Sequence, residues 1–131
     1  MFSHVHVGAR DLNALVAFYE PLLAKLGFEQ MPEGNGGQAK GVGWKYPYKR
    51  WPQFYVQVPE NGLPSTWGNG MQVSFLVASQ EGVQEIWHLA MKMGGADEGK
   101  PGFREYASDF YAAYCRDPEG NKLCFVHAPE E

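Results

Sequence analysis

Several features that mark special protein classes are missing from this sequence. No run of about 18 apolar residues occurs in it, so no helix is expected to span a membrane. Cysteine is scarce. Cys115 and Cys124 are the two present, too few for a disulfide framework and spaced unlike a zinc ligand pair. Positive charge is also short. Eleven Lys and Arg stand against fifteen Asp and Glu, for a net charge of −4, which argues against a protein that grips phosphate backbones through clustered cations. The basic cluster Lys45, Lys49 and Arg50 lies among Trp44, Tyr46, Tyr48 and Trp51; it is expected to be a solvated loop rather than a stacking platform for nucleic acid. Residues 1–5 carry neither the basic start nor the apolar stretch of a secretion signal, so a cytoplasmic protein with reduced thiols is expected.

What is present is ordinary folded-domain composition. Of 131 residues, 44% are hydrophobic and 20% charged, which leaves disorder, collagen and coiled coil without support. The chain also repeats itself. A shift of 68 residues lays His4-Val5-His6-Val7-Gly8-Ala9 on Gln72-Val73-Ser74-Phe75-Leu76-Val77, so an alternating strand pattern recurs in phase. Asp11 then falls on Ser79, and either side chain can cap a helix by accepting from an orphan amide of the first turn. Beyond the caps, Leu15, Phe18, Tyr19 and Leu23 fall on Val83, Ile86, Trp87 and Met91, giving each helix one apolar face. Gly27 falls on Gly95, the expected stop signals. Pro21 should kink the first helix, because it lacks an amide and its ring clashes with the preceding turn.

Short aromatic and β-branched segments follow each helix, roughly at 28–31, 39–46 and 53–58, and again at 110–116 and 122–127. The sequence Asp117-Pro118-Glu119-Gly120-Asn121 predicts a tight turn between the last two strands. The chain therefore reads as a single α+β domain over 1–131: a βαβββ module at 1–58, a Pro/Gly/Asn-rich linker at 59–69 and a second module at 70–131. Each module's strands would curl into a half-barrel of mixed sheet with the helix outside and a concave face open to a ligand.

This arrangement resembles the vicinal oxygen chelate superfamily, the glyoxalase, bleomycin-resistance and extradiol-dioxygenase group. The resemblance rests on His4-Val5-His6-Val7-Gly8-Ala9-Arg10-Asp11-Leu12 and the helix Ala17-Phe18-Tyr19-Glu20-Pro21-Leu22-Leu23-Ala24-Lys25-Leu26-Gly27-Phe28 in the first half. In the second half it rests on Gly94-Gly95-Ala96-Asp97-Glu98-Gly99-Lys100-Pro101-Gly102-Phe103-Arg104 and on Phe110-Tyr111-Ala112-Ala113-Tyr114-Cys115-Arg116-Asp117-Pro118-Glu119-Gly120-Asn121. Enzymes of the group hold a divalent metal with inward-facing His and Glu on the first and last strands of the modules. The resemblance implies that His4 stands at one such position and matches, whereas Gln72 and Cys124 stand where many relatives carry His and Glu. A fourth position falls within Phe54-Tyr55-Val56-Gln57-Val58, which has no imidazole or carboxylate. It further implies that His4, Gln72 and Cys124 converge on one cavity, and that the protein is a homodimer.

Imidazole with a neutral amide and one thiol is a mixed set for Mg, Mn or Fe, although a thiolate attracts zinc. No cofactor is therefore expected; a divalent metal, with His4 as its candidate ligand, is the alternative. His6 shares strand parity with His4 and so shares its face. His4 and Cys124 are the candidate catalytic groups, with a cavity-lining histidine and an inert buried thiol as the plainer readings. His6, Gln72, Tyr55, Arg104, Tyr106 and Tyr111 are the candidate substrate contacts: aromatics for a planar molecule, and Arg104 as an anion clamp, unless it pairs with Glu105 or Glu98. His127 should face away from Cys124, and His88 should be exposed. Three functions stay open: a protein that binds a small aromatic or conjugated molecule without the usual metal site; a divalent-metal lyase, isomerase or dioxygenase; and a metal-free enzyme using His, Tyr or Cys.

Overall fold

Asp11 and Ser79, equivalent in the repeat, each start a helix. The Asp11 carboxylate accepts from the Ala14 N–H at 3.1 Å and the Ser79 hydroxyl from the Gly82 N–H at 2.9 Å, opening α1 (Leu12–Lys25) and α2 (Gln80–Lys92). The computed structural model describes residues 1–32 and 40–129. Both helices end on a glycine in the left-handed region, with the six-residue closing bond of a Schellman motif. After α1 the Phe28 N–H reaches the Leu23 carbonyl at 2.9 Å with Gly27 at φ +93°; after α2 the Gly95 N–H reaches the Ala90 carbonyl at 2.8 Å with Gly94 at φ +105°. The stop glycine of the second helix is thus Gly94, not Gly95. α2 has 13 residues and α1 has 14, so the register of the repeat slips by one at that end. Pro21 does not break α1, which runs through it as one helix.

The chain divides into two units, 1–66 and 67–131. In the first, β1 (His4–Gly8), β2 (Glu29–Gln30), β3 (Gly41–Lys45) and β4 (Gln53–Gln57) form a sheet of order β1-β4-β3-β2. The expected strand at 39–46 is seen as β3, and residue 39 lies outside the described residues. In the second, β5 (Val73–Leu76), β6 (Ala96–Phe103), β7 (Tyr111–Arg116) and β8 (Lys122–His127) take the same order, β5-β8-β7-β6. The first and last strands pair in parallel and the rest antiparallel in both sheets. Each unit is therefore βαβββ in a mixed α+β sheet, and neither sheet closes into a barrel. β6 was absent from the strand segments read above. Its sequence is glycine-rich and charged, and its pairing with β7 shifts register around Gly99, so it carries no alternating signal.

One face of each sheet is covered by its helix. In the first unit Leu15, Phe18, Tyr19, Leu22 and Leu23 of α1 are buried with Phe54 and Val56 of β4; the Tyr19 and Phe54 rings are 5.1 Å apart. In the second unit Val83, Ile86 and Trp87 of α2 lie buried, as do Ala113, Cys115, Leu123 and Phe125. Strand alternation sends the intervening residues to the opposite faces, where the candidate sites lie. The last hairpin is closed by Asp117, whose Oδ1 accepts from the Glu119 and Asn121 N–H groups at 2.8 and 3.0 Å, with Gly120 at φ +97°. Among the described residues no helix is long and apolar enough to cross a membrane.

Candidate functional site

Parallel pairing of β1 with β4 sets His4 opposite Gln53 and His6 opposite Tyr55. All four side chains emerge on the face away from α1, and with Trp51, Gln57 and Glu60 they line a cleft of about 240 Å³. The walls are rings. His4 and His6 have centroids 5.2 Å apart, His4 stacks on Trp51 at 6.3 Å and 27°, and Tyr55 stands 5.9 Å from His4 and 5.3 Å from His6. The Tyr55 hydroxyl donates to Gln53 Oε1 at 2.6 Å, which fixes the ring's edge. Partial burial, reinforced by the neighbouring His4, holds His6 below the ordinary 6.5, against an opposing pull from Glu60. Near neutral pH His6 is therefore a neutral imidazole with one donor and one acceptor.

The second unit carries a different cleft, of about 430 Å³, lined by Gln72, Glu98, Gly99, Arg104, Tyr106, Phe110, Tyr114 and Lys122. Antiparallel pairing sets Tyr114 opposite Cys124. Along its floor Gln72 Nε2 donates to Ser74 Oγ at 3.0 Å, and Ser74 and Tyr114 stand across from the Cys124 thiol as its strand partners. Burial pushes the Cys124 thiol up, outweighing the opposing pull of the neighbouring Ser74 and Tyr114 hydroxyls and of the Arg104 and Lys122 cations. Burial and the neighbouring thiol push Tyr114 up to about 12. Both groups thus stay protonated at physiological pH. Arg104 is fixed by backbone: Nη1 donates to the Gly102 and Phe103 carbonyls and Nη2 to that of Lys100.

Most of the candidate residues fall on these two faces. His4, His6 and Tyr55 share the first cleft; Gln72, Arg104 and Tyr106 line the second, with Cys124 beneath. Tyr111 does not join them. Its hydroxyl accepts from Gln84 of α2 at 2.8 Å, so it faces the helix, because β7 alternates and places Tyr114 on the open side instead. Tyr114, Trp51 and Lys122 lie outside that candidate set; the register of the 117–121 hairpin, which pairs Arg116 with Lys122 and hence Tyr114 with Cys124, is the signal that finds Tyr114. Glu98 pairs with Arg116 rather than Arg104. His127 faces away from Cys124, with Nδ1 2.9 Å from the Val77 carbonyl, and His88 is exposed.

A metal of the kind used by the resembling enzymes needs clustered imidazole and carboxylate donors. Among the described residues no three His, Cys, Asp or Glu side chains group as such a centre. The first cleft is lined by two imidazoles and the Glu60 carboxylate beside amides and a phenol, and the second by the Glu98 carboxylate, paired with Arg116, and an amide above a thiol held protonated. Among the described residues neither set draws three such donors together into a His/Glu centre.

No family model matches the sequence, and no curated protein matches it. Solved structures do. A glyoxalase/bleomycin resistance protein from Albidiferax ferrireducens T118 matches with a TM-score of 0.82 at 37% identity, over 98% of this chain and 99% of that one. A glyoxalase/bleomycin resistance protein/dioxygenase family enzyme from Burkholderia phytofirmans PsJN matches at TM-score 0.73 and 20% identity, over 95% and 96%. A lactoylglutathione lyase from Agrobacterium tumefaciens matches at 0.64 and 20%, over 98% and 93%; the latter two speak for the fold alone. Paired βαβββ units of this order define the vicinal oxygen chelate superfamily. Within it, the chain belongs to the glyoxalase/bleomycin resistance protein family.

Proposed function

We propose that this protein binds a small planar molecule, aromatic or conjugated, in the open cleft of its first unit, without the His/Glu metal centre of the family's enzymes. The fold hosts many chemistries, so the reading rests on the site. One observation carries it: four rings, those of His4, His6, Trp51 and Tyr55, wall a single cleft beside the amides of Gln53 and Gln57. Such walls offer stacking faces worth about 0.5–1.5 kcal/mol per ring pair beyond burial, with the amides fixing orientation. A second reading, a metal-free enzyme working by acid–base catalysis, is favoured by the neutral His6 in the same cleft. The thiol of Cys124 supports no such role, since burial disfavours its nucleophilic thiolate.

Thermal unfolding with added zinc or nickel separates this reading from a metal-dependent lyase, isomerase or dioxygenase. An ion that binds only the native state adds about 2.7 kcal/mol at a hundredfold excess over Kd. The expected result is a melting temperature unmoved by either ion. A rise of several degrees that disappears in His4→Ala would overturn the metal-free reading. A homodimer, expected from the family resemblance, is checked by light scattering at micromolar concentration.

A further inference from the structure

The second cleft has a different chemistry from the first. Its walls bring two cations to one ring: the Arg104 guanidinium lies 5.3 Å and the Lys122 ammonium 5.4 Å from the centroid of Tyr114. The carboxylate that shares this cleft, Glu98, is already hydrogen-bonded by Nε of Arg116, so its charge is answered from outside the pair. The cleft is thus cationic in a chain whose net charge is −4. Arg104 is positioned in advance. Backbone carbonyls of residues 100, 102 and 103 take three of its bonds, and a guanidinium has five N–H donors, so two remain to be offered elsewhere. The backbone of β6 is shaped around it. A Cβ at Gly99 would come 3.2 Å from Nη2, and one at Gly102 would come 3.1 Å from Nη1. Apolar surface adjoins the cations, from Phe110 and Tyr106, whose rings meet edge-on at 5.1 Å.

We infer that this cleft is a binding site for a small organic carboxylate, with the carboxylate held by Arg104 and Lys122 and its apolar body set against Phe110 and Tyr106. A planar fork held by backbone suits a carboxylate, which accepts two parallel N–H bonds, and the adjoining ammonium adds charge without a fixed direction. Preorganisation matters because the side-chain entropy of ordering an arginine is spent in the free protein rather than on binding. This site goes beyond the proposed function: it uses none of the residues of the first cleft and stands or falls separately.

Cyclohexanecarboxylate is the probe, since it has no aromatic ring to stack in the first cleft. Its binding is measured by calorimetry, and the Arg104 Nε–H signal is followed by NMR during the same titration. Saturable binding is expected, with that signal shifting, and the neutral cyclohexanecarboxamide should bind roughly tenfold more weakly or worse for loss of the charge-assisted bonds. Lys122→Gln, which removes a charge but none of the β6 backbone bonds, should weaken the carboxylate several-fold with little change in melting temperature. No saturable binding up to millimolar probe, equal binding of acid and amide, an unmoved Arg104 signal, or an unchanged affinity in Lys122→Gln would each overturn the inference. Inorganic phosphate shifting the Arg104 signal as strongly as the probe would mark a site for free anions and overturn it as well.

Discussion

His6 and Tyr55 face each other across the parallel β1–β4 ladder, as Cα partners with ring centroids 5.3 Å apart at 32°. Because the strands alternate, this pair stands on the open face while its neighbours Val7, Phe54 and Val56 are buried on the other. The first cleft is therefore a direct product of strand parity. Its electrostatics follow from the partial burial of His6, with the His4 imidazole beside it and the Glu60 carboxylate opposing.

The pH behaviour of His6 is the first consequence. Folding holds it below 6.5, with partial burial the largest cause and His4 the next. As pH falls, the unfolded chain takes up this proton first, so the stability contribution is fully present above the ordinary value and is lost as pH drops through the folded one. Melting temperature should fall on going from about pH 7 to about pH 5, and His6→Gln should flatten that slope. A direct NMR titration should show the His6 value rising in His4→Ala and falling further in Glu60→Gln. Unchanged values in both variants would contradict the stated causes.

Gly99 sits at φ +154°, and a Cβ there would lie 3.0 Å from Tyr114 Cδ1. Gly99→Ala should therefore cost about 1–3 kcal/mol in denaturant unfolding, through a conformation that side chains rarely adopt and a contact that must open. Gly62, also at positive φ but with open space where its Cβ would go, should cost less when changed to Ala.

Asp117 is buried, at 3% exposure, and besides its backbone acceptor role its Oδ2 accepts from Asn121 Nδ2 at 2.7 Å. Asp117→Asn keeps one oxygen but turns a donor toward a donor. A loss of about 1–3 kcal/mol is expected, the cost of leaving a buried polar group unsatisfied. Equal stability of the two proteins would mean that the turn is held by backbone alone.

Both thiols should be inert in the native protein. Burial, with Asp117 beside it, pushes Cys115 up to about 12, and burial raises Cys124 too. Since the thiolate is the reacting species, a disulfide reagent at neutral pH should titrate the two cysteines slowly in the folded chain and at once in denaturant. A single fast native thiol, lost in Cys124→Ser, would revive covalent catalysis at that position.

Much of this fold is legible in the sequence, because the features that generate it are local. Asp11 and Ser79 announce helix starts by their side-chain chemistry, and the spacing of Leu15, Phe18 and Tyr19 matches that of Val83, Ile86 and Trp87. The turn at residues 117–121 is equally plain. β6 was hidden because Ala96-Asp97-Glu98-Gly99-Lys100-Pro101-Gly102-Phe103 is shaped around Arg104 and Tyr114, and such a strand needs glycine where a regular one would alternate apolar side chains. The site was half legible. Parity places His6 with His4, and in β7 an odd separation of three residues puts Tyr111 beneath the helix and Tyr114 in the open cleft. The same parity puts Lys122 on the face of Cys124 and Trp51 in phase with Gln53 and Tyr55; what no single segment contains is which strand lies alongside, and so which rings and charges they meet.

The central claim is that the ring-walled cleft of the first unit receives a planar molecule without metal. Its most direct test is to titrate a library of planar mono- and bicyclic aromatics in the presence of a chelator while following the histidine ring signals by NMR. Binding members should shift the His4 and His6 signals, leave His88 and His127 unmoved, and lose most of their affinity in Tyr55→Ala and Trp51→Ala. A library with no binder, or binders that leave His4 and His6 unshifted, would contradict it.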